Sequence, residues 1–382
     1  MRDVGRHGVD SSAGSNERGA DHILFLAASP TIDGPLPKLA PHMVAGLREA
    51  GFAVDVSYWS RRHEDESLWE KALGRAQDLI AVVRRLRRRP VDVLFVTTAH
   101  NWGALLRDVP LMLTVRSLCS VIVLQFHGSE PEDLMGHGHR LFRMLTRLVV
   151  GRADAVLVLS SEELTQWRRF APETTFRLVT NPFVSPERPV SRPRRSAGEP
   201  VRVLFVGRLE HAKGVDDLID VVGELAPAFP LRLELAGRAD EALQLQRRIS
   251  AAGLDGVVES LGYVEGPALW RLYQEADVFV LPSRREGFPL VLLEAMAFGL
   301  PIVTTGIRGA ADHLIDGRNA LLVAPGDRRA LASALARLLQ DADLRREMGA
   351  ANRAAVARFS PEWVVPRYAA IIREVLDRTR AV

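Results

Sequence analysis

The sequence predicts an α/β protein made of two doubly wound domains that face each other across a cleft. Three observations carry this expectation. Short apolar runs of strand length alternate with helical stretches throughout the chain, as parallel strands joined by helical crossovers do. Residues 183–200 are rich in Pro, Arg and Ser, lack hydrophobic periodicity, and separate two halves of similar rhythm. The length of 382 residues suits two or three domains.

Residues 1–20 are polar and charged without an apolar stretch, which reads as a flexible leader and not a secretory signal. The first domain, 21–182, opens on the apolar run Ile23–Ala28. A loop with Asp33, Gly34, Pro35 and Pro37 follows, then a helix near 38–50, a turn at Gly51 and a second strand, Ala53–Tyr58. Val91–Thr97, Val121–Phe126, Ala155–Leu159 and Arg177–Val179 read as further strands separated by helices. The second domain, 201–360, restarts at Val201–Val206 and turns at Gly207. Val215, Leu218, Ile219, Val222 and Leu225 then mark one face of a helix. Strands are expected at Leu231–Ala236, Gly256–Leu261, Val278–Leu281, Ile302–Thr304 and Ala320–Val323. Helices are expected around Pro267–Ala276 and over Leu290–Phe298, Arg328–Leu339, Leu344–Phe359 and 361–382. Two such domains open a crevice at the carboxyl ends of their strands, where ligands bind.

Composition narrows the function. Hydrophobic residues make up 47% and charged residues 25%, which fits a soluble globular chain and excludes a wholly disordered one. With 50 basic and 47 acidic side chains, the balance gives no general argument for nucleic acid. Cys119 is the single cysteine, so no intrachain disulfide or thiolate cage can form, and a reducing cytoplasm is the expected setting. No apolar run reaches bilayer length. His100, His137 and His139 lack metal-ligand spacing, and no metal site is expected.

Two segments carry the chemistry. After the strand Val201–Val206 the chain reads Gly207-Arg208-Leu209-Glu210-His211-Ala212-Lys213-Gly214 and enters a helix. Lysine is disfavoured beside the positive end of a helix unless an anion is near, so Arg208 and Lys213 are either a phosphate grip or two solvated cations. The turn lacks the Gly-x-Gly-x-x-Gly pattern of nicotinamide sites, and no Walker loop occurs. The second segment follows Val278–Leu281. Glu286 lies in a polar loop with Gly287, a helix starts near Pro289, and Glu294 stands among Leu290, Leu292, Leu293 and Met296. A carboxylate in so apolar a helix needs hydrogen-bond donors. Together the segments suit a ligand with several hydroxyls and a phosphate. Asp341-Ala342-Asp343 lies between helices and reads as a helix cap or a solvated acidic turn.

Over Val201–Tyr368 the chain resembles the donor domain of GT-B glycosyltransferases of the retaining family 4. The resemblance is carried by Gly207-Arg208, Lys213-Gly214, Gly237, Leu261-Gly262-Tyr263, Ala276-Asp277-Val278 and Pro282-Ser283. It continues through Glu286-Gly287-Phe288-Pro289 with Glu294-Ala295-Met296, Gly299, Pro301, Asp316-Gly317, Asn319 and Pro325-Gly326-Asp327. The two glutamates form the family's Glu-x7-Glu pattern. This implies two Rossmann-like domains, the first binding the acceptor and the second a nucleotide-diphosphate sugar. It also implies that the C-terminal helix, 361–382, crosses back onto the first domain. Arg208 and Lys213 would grip the donor diphosphate, Glu294 would bind the ribose diol, and Glu286 would take hydroxyls of the sugar. The amides of Gly287, Phe288, Pro289 and Leu290 would face the sugar and phosphate (Pro289 through its backbone alone), with Gly207, Gly237, Gly262 and Tyr263 around the nucleotide. In the first domain Phe126-His127-Gly128 resembles the family's cleft His-Gly, with His127 beside the sugar or satisfied by backbone. Gly34 stands near the diphosphate where the family commonly has a glycine pair. Ile307-Arg308-Gly309 likewise replaces a glycine pair, and Asn181-Pro182 replaces Asn-Gly.

The expected activity is retaining transfer of a sugar to a hydroxyl acceptor, in cell-surface polysaccharide or glycolipid synthesis, with no cofactor or metal. A sugar-nucleotide epimerase or hydrolase, or a non-catalytic sugar-nucleotide-binding subunit, is the alternative. Arg84, Arg85, Arg87, Arg88 and Arg89 form one basic stretch. Arg140, Arg143 and Arg147, opposite Leu141, Leu145 and Leu148, form another. They are either solvated helix faces or a joint peripheral contact with the anionic inner face of the cell membrane, near a lipid-linked acceptor.

Overall fold

The computed structural model describes residues 20–29, 35–59, 66–129, 139–185, 198–239, 242–284, 286 and 289–381. Residues 1–19 of the expected leader and 186–197 of the expected linker lie outside the described residues. The first half contains β1 (His22–Ala27), α1 (Pro35–Glu49), β2 (Ala53–Tyr58), α2 (Leu68–Arg88), β3 (Val91–Thr98) and α3 (Trp102–Val115). It continues with β4 (Cys119–Phe126), α4 (Arg140–Val150), β5 (Ala155–Val158), α5 (Ser161–Phe170) and β6 (Phe176–Leu178). Its strands form a six-stranded parallel sheet in the order β2-β1-β3-β4-β5-β6.

The second half repeats the plan. It contains β7 (Val201–Val206), α6 (Val215–Leu225), β8 (Leu231–Ala236), α7 (Ala242–Ala251), β9 (Val258–Gly262), α8 (Gly266–Glu275) and β10 (Val278–Leu281). Next come α9 (Leu290–Ala297), β11 (Ile302–Thr305), α10 (Arg308–His313), β12 (Ala320–Val323), α11 (Arg328–Gln340), α12 (Ala342–Ala355) and α13 (Pro361–Arg380). The order is β12-β11-β10-β7-β8-β9, again parallel. Both sheets are therefore doubly wound, as expected. Because β7 lies beside β10, the loops that follow these two strands are neighbours at one sheet edge, although about 70 residues separate them in sequence.

The central strands read as largely apolar runs because helices cover both faces of each sheet, whereas the edge strands β2 and β9 are partly exposed. β1 and β5 are buried throughout. In the first sheet one face packs on α1 and α13, the other on α2 to α5. Val365, Tyr368, Ile372 and Leu376 of α13 belong to that first core, and a Cβ on Gly46 of α1 would stand 2.7 Å from Val365. The Tyr368 hydroxyl receives a hydrogen bond from Gln125 Nε2 at 2.8 Å and donates to the Thr180 carbonyl at 3.1 Å.

Local differences from the sequence expectation have simple causes. The strand expected from Gly256 begins at Val258, because Gly256 is a turn residue with φ +83°. α10 is too short to leave a periodic pattern and went unforeseen. Asp341 does cap α12, accepting from the Leu344 N–H. The two basic stretches lie at opposite ends of the first domain. Arg140 and Arg143 open α4 at the carboxyl end of the sheet, whereas Arg84, Arg87 and Arg88 close α2 at the amino end.

Replacing Tyr368 with Phe leaves the buried Gln125 amide without its partner. It should lower stability by about 1–3 kcal/mol, read as a lower urea midpoint at constant slope. An unchanged midpoint would show that this bridge holds nothing.

Candidate active site

Glycines let three turns at the carboxyl edge of the second sheet approach one another. The Gly207 N–H donates to the Ala236 carbonyl at 3.0 Å and the Gly237 N–H to the Gly262 carbonyl at 2.7 Å. A Cβ on Gly237 would sit 1.7 Å from the Gly207 carbonyl oxygen, so no other residue fits there without separating β7 from β8. At the rim, the Arg238 guanidinium lies 4.6 Å above the ring of Tyr263, which is 47% exposed and donates its hydroxyl to Glu265 at 2.8 Å. A cation and an aromatic face presented together in this way can receive a flat ring.

The next turn brings the two expected segments into contact. His211–Lys213 form a single helical turn that ends at Gly214, with φ +73°. A Cβ on Gly214 would lie 2.2 Å from the Pro282 carbonyl oxygen, and the Arg284 N–H donates to the Ala212 carbonyl at 2.9 Å. The loop after β10 is thereby held against the turn after β7. Across that seam Lys213 Nζ reaches Glu286 Oε1 at 2.6 Å, with the side chains only 18% and 14% exposed. The buried Ser283 donates its hydroxyl to the same Glu286 oxygen at 2.8 Å. The cation beside the amino terminus of α6 is thus compensated by a carboxylate from another loop. Arg208 stands apart, largely exposed and paired with Glu210 at 3.0 Å.

Glu294 has the donor that its surroundings require. Tyr273, fully buried on α8, donates its hydroxyl to Glu294 Oε2 at 2.7 Å. Burial and the adjacent carboxylate push the Tyr273 phenol well above its usual range, so it remains a donor at ordinary pH. Pro289 precedes α9 in extended conformation, and Leu290 is the first residue of that helix.

In the first domain His127 follows β4, its N–H donating to the Thr98 carbonyl at 2.9 Å. It lines a recess of about 280 Å³, open mouth included, with Thr97, Gln125 and Asn181. Burial pushes the imidazole down to about 3, so the ring is neutral and can donate or accept but carries no charge. Ser129, two residues on, receives the Arg308 guanidinium from the second domain on its carbonyl. The His127 turn therefore faces the other domain.

Of the residues singled out from sequence, the fold joins Lys213 to Glu286 and stacks the turns of Gly207, Gly237 and Gly262. It places Tyr263 at the rim and Glu294 behind, on α9. Gly34, His137, Gly287 and Phe288 lie outside the described residues. His100 packs among Phe126, Phe142 and Trp167, a structural place. Among the described residues no three metal-ligating side chains gather. Sequence reasoning missed Tyr273, Ser283 and Arg238. Ser283 was visible in the Pro282-Ser283 pair, but nothing in that pair told which group its hydroxyl would meet.

The His127 ring should stay neutral from pH 5 to 8, read from its ring ¹⁵N chemical shifts. As pH falls from 6.5 toward 3, the unfolded chain takes up a proton that the folded ring refuses, so this residue's contribution to stability declines over that window. A ring that titrates near 6.5 in the folded protein would contradict the burial.

Residues 188–355 match the family of glycosyl transferases group 1. The chain is 28% identical over 356 residues to a glycogen synthase of Mycobacterium tuberculosis, covering 88% of this chain and 82% of that one. It is 30% identical over 296 residues to a D-inositol 3-phosphate glycosyltransferase of Arthrobacter sp., covering 72% and 69%. Among solved structures, sucrose-phosphate synthase from Thermosynechococcus elongatus superposes with a TM-score of 0.77 at 21% identity, over 94% of this chain and 100% of that one. The chain belongs to the group 1 glycosyl transferases and has the GT-B fold: it is a glycosyltransferase that uses a nucleotide-sugar donor.

Proposed function

We propose that this enzyme is a retaining, family 4 type glycosyltransferase whose donor diphosphate sits over Lys213 and whose acceptor is linked to lipid. The observation that carries the first part is the Lys213–Glu286 pair at the junction of the β7 and β10 loops. Before donor binds, Glu286 is the counter-ion of Lys213. The diphosphate takes over that role, with Arg208 swinging from Glu210 to a second oxygen, and Glu286 is released toward the hydroxyls of the sugar. Glu294, oriented by Tyr273, takes the ribose diol, and Arg238 and Tyr263 flank the base. The Gly207, Gly237 and Gly262 turns let the nucleotide approach the backbone, and the Leu290 amide faces the diphosphate.

The anomeric carbon loses its bond to the phosphate oxygen and gains one to the acceptor oxygen on the same face. The departing phosphate oxygen takes the acceptor proton, so no side-chain base is needed. Charge grows on the diphosphate as that bond breaks, and fixed cations and amides stabilise it without reorganising. Neutral His127 hydrogen-bonds the sugar. Two cationic side chains match the diphosphate, which supports transfer without a metal ion.

The acceptor class is supported by the rim of the first domain. The cleft ends of three adjacent helices expose Trp69 and Leu73 on α2, Trp102 and Leu106 on α3, and Leu141 and Met144 on α4; Trp69 is 85% exposed. Trp102 packs edge-on to Phe142 at 5.1 Å, which joins α3 to α4. With Arg140 and Arg143 beside them, these side chains form an apolar and basic rim of the kind that enters an anionic headgroup layer. No helix among the described residues is long and apolar enough to cross a membrane.

With the best of UDP-, GDP- and ADP-linked sugars and EDTA present, Lys213→Ala should lower turnover by about 10²–10³. Glu294→Ala should chiefly raise the donor concentration needed for half-saturation. Wild-type turnover in Lys213→Ala, an unchanged half-saturating donor concentration in Glu294→Ala, or activity that requires added Mg²⁺ or Mn²⁺, would overturn the assignment. Separately, the protein should co-sediment with vesicles containing phosphatidylglycerol, and Trp69→Glu with Leu106→Glu should abolish this. Equal recovery on neutral vesicles, or retention by the double variant, would remove the membrane contact.

A further inference from the structure

Arg308 is the one non-glycine residue with positive φ among the described residues, at +36°. Residues with a Cβ are disfavoured there and persist where surrounding contacts over-determine them. The contact in this case crosses between domains. The Arg308 guanidinium donates to the carbonyl oxygen of Ser129, which follows the His127-Gly128 turn. Four residues further along α10, the Asp312 carboxylate accepts from the Ser161 N–H and from its hydroxyl, each at 2.7 Å. Ser161 opens α5, so the carboxylate also meets the positive end of that helix.

The receiving side is rigid. The Ser129 N–H and hydroxyl donate to Glu163 Oε1 at 2.9 and 2.7 Å, and Trp167 Nε1 donates to the Ser129 hydroxyl at 2.9 Å. The second Glu163 oxygen accepts the Leu159 N–H at 3.0 Å, and Glu163 is wholly buried. Each domain has its own hydrophobic core, and the Arg308–Ser129 and Asp312–Ser161 bonds join the two across the cleft. Their consequence is geometric: they set how the His127 turn stands against the donor domain.

We infer that Arg308 is a positioning residue which, with Asp312, clasps the donor domain onto the Ser129 turn and α5, and so fixes His127 opposite the donor sugar. The inference rests on the proposed place of His127 in transfer. Glycine is the diagnostic substitution because it removes the clasp and the backbone strain together. Arg308→Gly should melt at or above the wild-type temperature and keep its donor KM within about twofold. Its kcat should fall by about tenfold or more, as misplacement of a reacting group does. Arg308→Lys, which keeps the charge without the planar fork, should fall between. Small-angle X-ray scattering of the unliganded protein should give a larger radius of gyration for Arg308→Gly with Asp312→Ala than for wild type. Wild-type kcat in Arg308→Gly, or a fall in kcat matched by a lower melting temperature, would overturn the inference. An unchanged radius of gyration in the double variant would do the same without reference to activity. A clasp that opens in scattering while His127→Ala leaves kcat intact would instead refute the proposed place of His127.

Discussion

Two backbone approaches govern the candidate active site: the carbonyl of Gly207 against Gly237, and that of Pro282 against Gly214. Only residues without a Cβ permit them. With these approaches, β7 and β10 deliver their loops to one point, and Lys213 meets Glu286 across a seam largely closed to water. A pair desolvated to this degree is costly to break by removing one member, since the other charge is left uncompensated. It is much less costly to exchange one counter-ion for another. That asymmetry suits the proposed diphosphate pocket, which would stay folded when empty.

The same economy recurs elsewhere in the molecule. Glu294 is tolerated on an apolar helix because Tyr273 meets it. Glu163 is tolerated in the core because Ser129 and Leu159 supply its donors. α13 packs on α1 and the first sheet, and Tyr368 ties it to Gln125 and Thr180, so the end of the chain closes the core beneath the His127 turn. Buried polar groups in both domains thus fix the positions of groups at the cleft.

Much of the fold was legible in the sequence. The central strands announce themselves as apolar runs because helices cover both faces of each sheet, and Gly207 marks the first turn of the second domain. The Glu286 and Glu294 pattern likewise singled out the β10 loop and α9 before their contacts with Lys213 and Tyr273 were known. The partnerships were not legible. Lys213 and Glu286 lie far apart in sequence, and only the placement of β10 beside β7 makes them neighbours. Tyr273 continues an ordinary helical pattern, so its hydroxyl carries no signal until α8 is packed against α9. Arg308 could be seen to replace a glycine, but its reach to Ser129 depends on how the two domains meet.

The central claim is that the seam between the β7 and β10 loops holds a diphosphate. A crystal structure with the tightest-binding of uridine, guanosine and adenosine diphosphate tests it directly. A phosphate oxygen should lie about 3 Å from Lys213 Nζ, with the ribose hydroxyls on the Glu294 carboxylate. A nucleotide bound elsewhere, with Lys213 still on Glu286 and no phosphate near it, would contradict the account.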